Sequence, residues 1–362
     1  MSVTEISVVL DPAQFREAER PLLRTDGIEV SLFRYDTGIA AARIANRRGH
    51  VIVLPYLGQM IWDAVFDGVR LTMGSMFSMR RPAEGIRDTY GCFCYHCGIL
   101  RMGNPGPDDD HPLHGEMPCA PMDRAWLEVG AGDEGRFVRL VSEREYIKGF
   151  GDHYLARPSV TVRPDRSLID IATAVENRAG RAMDLMYMCH LNFALPEGGR
   201  IVQPAAFTAE NMVARTAVPS HVPASPEYLA LIAAIARDPA IMETLDDPRR
   251  FDPEQVCYIR NLRTDARGVA HVLLQRRESD GFAVGYRPAD FPHTVRWILC
   301  NADQQVAGFA LPSTCEPEGY TAEKRKGNVQ SLPPGGRKDF RVRAGYVDRG
   351  EAATLANLIR SL

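Results

Sequence analysis

Short apolar runs, each broken within about ten residues by a Gly, Pro or Asp turn signal, constrain this chain more than any other feature. Val51 to Leu54 precedes Pro55, and Phe137 to Val141 follows a Gly-Asp-Glu-Gly turn. Val160 to Arg163 and Leu168 to Val175 flank Pro164-Asp165-Arg166-Ser167 and read as a hairpin with alternating faces. A second hairpin is expected from Ala270 to Tyr286, turning at Ser279-Asp280-Gly281, and Phe340 to Val347 alternates again. Such a succession folds most economically as an all-β sandwich of antiparallel sheets. Two segments break the rhythm. Ser225-Pro226-Glu227 places a cap and a proline where a helix begins, and Leu229, Ile232, Ala233 and Ala236 then share one face up to Asp238-Pro239. Glu351 to Leu362 reads as a C-terminal helix. The expectation is one domain over residues 1–362, with a helical insertion at about 223–250.

Bulk properties narrow the partners. The formal net charge is −3, and the one short basic run is Lys324-Arg325-Lys326, so neither nucleic acid nor an anionic membrane is expected as a partner. No stretch reaches the roughly 18 apolar residues of a membrane span, and Met1-Ser2-Val3-Thr4-Glu5, with no basic start before an apolar run, gives no expectation of a signal peptide. Eight cysteines in 362 residues, several in apolar surroundings, fit free thiols in a reducing cytoplasm. A monomer or homodimer is expected. P-loop, dinucleotide-binding and serine-elbow motifs are absent, which sets aside nucleotide cofactors and serine hydrolysis.

Three segments carry groups suited to chemistry: Leu113-His114-Gly115-Glu116 after a Pro/Gly/Asp-rich loop, Met188-Cys189-His190-Leu191-Asn192-Phe193 on an apolar strand, and Ala310 to Tyr320, followed by Leu332-Pro333-Pro334-Gly335-Gly336. Their order resembles the pattern of the galactose mutarotase (aldose 1-epimerase) superfamily, in its aldose 1-epimerase-like branch. Cys97 to Leu100, Pro118-Cys119-Ala120, and Phe291-Pro292-His293 leading to Trp297 support the likeness, which runs from about Arg48 to Val347.

The resemblance implies a β-supersandwich and a cofactor-independent carbohydrate isomerase. In that chemistry a base takes the proton of the anomeric hydroxyl, an acid protonates the ring oxygen, and the opened sugar recloses on its other face. It further implies His190 as the acid, Asn192 beside it as hydroxyl partner or orienter, and His114 as a sugar ligand. The family's glutamate base falls on Leu311 here; Glu316 is the nearest replacement, with Glu318 behind it. Arg101, Glu116 and Trp297 complete the expected substrate-binding set, Trp297 as a stacking platform. Two other readings stay open. The leucine at the base position would suit a non-catalytic sugar-binding or sensing protein. Cys92, Cys94 and His96, which alternate on one strand face, contain metal-ligand types and would suit a metal-dependent isomerase, especially with Asp109, His111 and His114; no metal is assigned.

Overall fold

The computed structural model describes residues 3–218 and 224–362; position 223, the start of the expected insertion, lies outside them. The described residues form two large antiparallel sheets. One has nine strands and contains, as consecutive neighbours, His153–Val162, Leu168–Asn177, Arg337–Val347, Gly281–Tyr286 and Ala270–Gln275. Both expected hairpins are among these, with Thr161 opposite Asp170 and Gln275 opposite Gly281. The other has 14 strands, and five neighbours in it matter most: Gln255–Ile259, His293–Cys300, Gln304–Ser313, Met183–Leu191 and Cys94–Ile99.

Alternation decides which side chains fill the space between the sheets. From the large sheet Tyr187 stacks on Phe340 of the other at 4.6 Å, and Phe193 stacks on Phe282 at 5.1 Å. His96 reaches Thr173 across the same gap, 3.1 Å from its hydroxyl. Burying aromatic side chains of this kind contributes roughly 2–3 kcal/mol each. The residues between them in sequence, Tyr95 on one strand and Met188 and His190 on the next, must then point to the opposite face. That outer face carries the site described below.

The helices differ from their sequence-based limits in instructive ways. Helix Pro226–Arg237 starts as expected, with the Ser225 hydroxyl accepting from the Tyr228 amide. Its buried stripe is Tyr228, Ile232 and Ile235, however, while Leu229 is exposed. The bulkier Tyr228 wins the inward position, turning the helix about one residue from the expected phase. Two 3₁₀ turns, Pro239–Met242 and Pro248–Phe251, complete the insertion. The last helix, Arg349–Ser361, begins two residues before Glu351 because Asp348 and Glu351 form a capping box. Its Ala352, Ala356 and Ile359 cover Leu273 and Ala283. A short helix, Tyr320–Lys326, stands where no helix was expected. Among the described residues no helix is long and apolar enough to cross a membrane.

Candidate functional site

A cavity of about 390 Å³ opens on the outer face of the 14-stranded sheet. Its floor and one wall come from alternate residues of neighbouring strands: Met188 and His190, Leu311, then Val295, Trp297 and Leu299. An extra residue in Gln304–Ser313 between Gly308 and Leu311 breaks the register opposite Val295 and Trp297, a bulge of the kind that re-aims side chains beside a site.

His114 enters from a loop. Its backbone is left-handed (φ 62°) and tied down at both ends, the amide donating to the Gly103 carbonyl and the carbonyl accepting from the Gly98 amide, each at 2.9 Å. Gly115 follows at φ 85°, so close to its neighbours that a Cβ would lie 1.9 Å from the Arg101 carbonyl oxygen. Only glycine fits there, which gives the His-Gly pair a physical reason. The turn brings the His114 ring to 5.2 Å from that of His190, edge to face.

Around His190, 3% exposed, the contacts are dense. Tyr95 stacks on its ring at 4.5 Å and Trp297 meets it edge-on at 5.4 Å. Its Nδ1 lies 2.8 Å from Asn192 Oδ1 and its Nε2 lies 3.3 Å from the Tyr90 hydroxyl, to which Tyr95 donates at 2.9 Å. Burial holds the imidazole far below its ordinary value, at about 3, with the Asn192 hydrogen bond opposing in part. Burial likewise drives the Tyr90 and Tyr95 phenols well above theirs, so both stay protonated donors.

A carboxylate does line this cavity, at a position the sequence did not mark. Glu254, just ahead of Gln255–Ile259, accepts from the Trp297 indole N–H at 2.7 Å, with Arg215 Nη1 at 3.6 Å. Arg215 is held in turn by Glu318, 2.9 Å from its Nε, and Tyr258 donates to the same carboxylate. Trp297 therefore touches both His190 and Glu254.

His114, His190, Trp297 and Leu311 thus share the cavity. The other expected site residues lie elsewhere. Glu316 faces a second cavity, paired with Lys326 at 2.7 Å and Arg260 at 3.3 Å, because helix Tyr320–Lys326 swings the lysine over it. Glu316 is thus not among the residues that line the cavity of His190. Asn192 is fully buried behind His190, out of reach of a ligand and free only to orient the ring. Arg101 stacks on the Tyr320 ring at 3.6 Å and donates to the Leu100 carbonyl. Glu116 accepts from the Ile99 and Leu100 amides (2.9 and 2.8 Å) and from the Tyr154 hydroxyl at 2.9 Å. It is a brace for the loop that carries His114. Glu116→Ala would leave two amides without that acceptor and is expected to cost roughly 2–4 kcal/mol in urea denaturation, with Glu116→Gln recovering part of it.

The cysteine-rich strand packs as core. Cys94 Sγ sits 3.8 Å from Cys189 Sγ, and His96 engages Tyr187 at 2.8 Å and Gln59 at 3.2 Å. His111 accepts from the Tyr320 amide at 3.3 Å. Among the described residues no three His, Cys, Asp or Glu side chains are placed to hold a metal ion together.

The fold is that of the galactose mutarotase-like proteins. A "putative aldose 1-epimerase" from Klebsiella pneumoniae has a TM-score of 0.80 at 16% identity, over 98% of this chain and 95% of that one. A galactose mutarotase-like protein from Clostridium acetobutylicum gives 0.59 at 10% identity, over 90% and 100%. A galactose mutarotase related enzyme from Lactobacillus acidophilus gives 0.56 at 12%, over 85% and 98%. At these identities the likeness speaks for the fold alone. No curated protein matches the sequence. Residues 36–345 match the family model described as "Domain of unknown function (DUF4432)", and the chain belongs to that family.

Proposed function

We propose that the cavity binds a sugar and performs acid–base chemistry at its anomeric carbon, as a cofactor-independent isomerase of the aldose 1-epimerase type. One observation carries the reading: two imidazoles, His114 and His190, meet at 5.2 Å in a cavity walled by Trp297 and Tyr90, and Glu254 is bound to the same indole. The cavity lies within the roughly 300–1,000 Å³ usual for small-molecule sites. Aromatic walls suit the C–H face of a pyranose, and convergent polar groups suit its hydroxyls. Ring opening requires a proton to leave the anomeric hydroxyl and one to reach the ring oxygen, which groups of this kind can exchange. Solved structures of the same fold include one described as a "putative aldose 1-epimerase" and one described as a galactose mutarotase related enzyme.

The test is exchange between anomers, followed by NMR for a panel of aldoses, with the purified protein against a blank. Acceleration for at least one sugar that also perturbs Trp297 emission is expected. Leu311 favours a second reading, sugar binding without turnover, because it places an apolar side chain in the cavity where the resemblance calls for a carboxylate. Saturable sugar binding with no acceleration for any sugar would select it.

A further inference from the structure

The geometry points to His190 as a proton shuttle that starts neutral, with Asn192 fixing its tautomer and Tyr90 linking its free nitrogen to the cavity; this rests on the isomerase reading above. The chain of hydrogen bonds has one consistent direction. Asn192 Nδ2 donates at 3.0 Å to the Cys92 carbonyl, which can only accept. Asn192 Oδ1 is therefore turned to His190 Nδ1, 2.8 Å away, and that nitrogen must carry hydrogen. At the other end Tyr95 donates to the Tyr90 oxygen at 2.9 Å, so the Tyr90 hydrogen is directed at His190 Nε2, 3.3 Å away. Nε2 is left as an acceptor. A group of this kind begins the cycle as a base, not as the acid the family resemblance implies.

One imidazole can serve both halves of ring opening, because the anomeric and ring oxygens are bonded to the same carbon. The anomeric O–H bond breaks and its proton passes to Tyr90 Oη while the Tyr90 proton moves to His190 Nε2. The pair left on the anomeric oxygen forms the carbonyl double bond, and the pair of the bond between the anomeric carbon and the ring oxygen withdraws onto the ring oxygen. The ring oxygen takes a proton back from Tyr90, and the imidazolium resupplies the phenol and returns to neutral. Reclosure on the other face runs the same steps backwards. No separate carboxylate base is consumed, which accounts for Leu311 at the position where one would be expected. The other titratable groups facing the ring are His114, Tyr95 at its face, and Glu254 behind Trp297. Burial of the ring, which disfavours the imidazolium, keeps the resting state neutral.

The tautomer is read from two-bond nitrogen–proton NMR spectra of protein labelled with ¹⁵N-histidine, the His190 signal being identified as the one lost in His190→Gln. The expected result is the neutral Nδ1–H form from neutral pH down to about pH 5, where a free imidazole is charged. Asn192→Asp, which sets a carboxylate against Nδ1, should convert the ring to imidazolium at the same pH. Asn192→Leu should let the Nε2–H form appear. An Nε2–H ring in the wild type, or titration near the ordinary value of about 6.5, would overturn the assignment whether or not a sugar is turned over. In kinetics, Tyr90→Phe should lower kcat by about 10²–10⁴-fold with little change in KM. An unchanged kcat for a folded Tyr90→Phe would overturn the relay. Absence of turnover in the wild type would instead remove the isomerase reading, and the spectrum would still decide the tautomer.

Discussion

Turnover by His190→Gln is expected to fall about 10²–10⁴-fold, while affinity for the same sugar changes less than about tenfold. Glutamine has similar reach, and its amide can meet a hydroxyl, but it cannot accept and return a proton near neutral pH. The loss should therefore appear in kcat and not in KM. The contrasting variant is Glu316→Gln. That carboxylate is held by Lys326 and Arg260 in a different cavity, so its removal should leave turnover unchanged and register instead as a loss of stability. Anomer exchange by NMR, with saturation binding measured on the same preparations, separates the outcomes. A loss in Glu316→Gln, with His190→Gln left at the wild-type rate, would mean that the second cavity, not the first, is the site.

The two histidines are reached through the resemblance, and each sits in a local setting with a physical cause. Gly115 is the one residue type that tolerates the approach of the Arg101 carbonyl, and it fixes His114 one position before it. His190 lies on an apolar strand where alternation with inward-facing Cys189 and Tyr187 turns its ring to the outer face. The carboxylate of the cavity is not legible, for the opposite reason. Glu316 is the carboxylate near Leu311 along the chain, whereas Glu254 arrives beside Trp297 only through the pairing of Gln255–Ile259 with His293–Cys300. That pairing joins segments about forty residues apart, and no local spacing encodes it. The one available signal was a carboxylate directly ahead of an apolar strand. Tyr90 was missed similarly, since it lies outside any strand and is placed by the Tyr95 hydroxyl. The strands themselves were readable from period-two alternation. The phase of helix Pro226–Arg237 was not, because several apolar residues competed for one narrow face.

Stability should fall steeply as pH drops from about 7 to about 5, before the carboxylates begin to titrate. His96 is buried between the sheets and its value is pushed down to about 4; His190 is pushed down to about 3. Burial is the leading cause for both. In the unfolded chain each returns to about 6.5. Between those values the unfolded state binds protons that the folded state refuses, so the stability present above about pH 6.5 is lost progressively towards the folded-state values. The linkage gives about 2 kcal/mol per histidine over those two pH units. His50 and His293 are displaced downward by partial burial and add in the same direction. Asp170 and Glu134, drawn below their usual range in part by Arg343, contribute stability that is lost only at lower pH, so the upper window belongs to the histidines. Urea denaturation at the two pH values measures the slope. A His96→Gln variant, which keeps a hydrogen-bonding group between Tyr187 and Gln59 but cannot titrate, should start less stable and lose about half as much on acidification. A variant as steep as the wild type would mean that the folded protein binds the proton at His96, and that the space between the two sheets is far more polar than its packing implies.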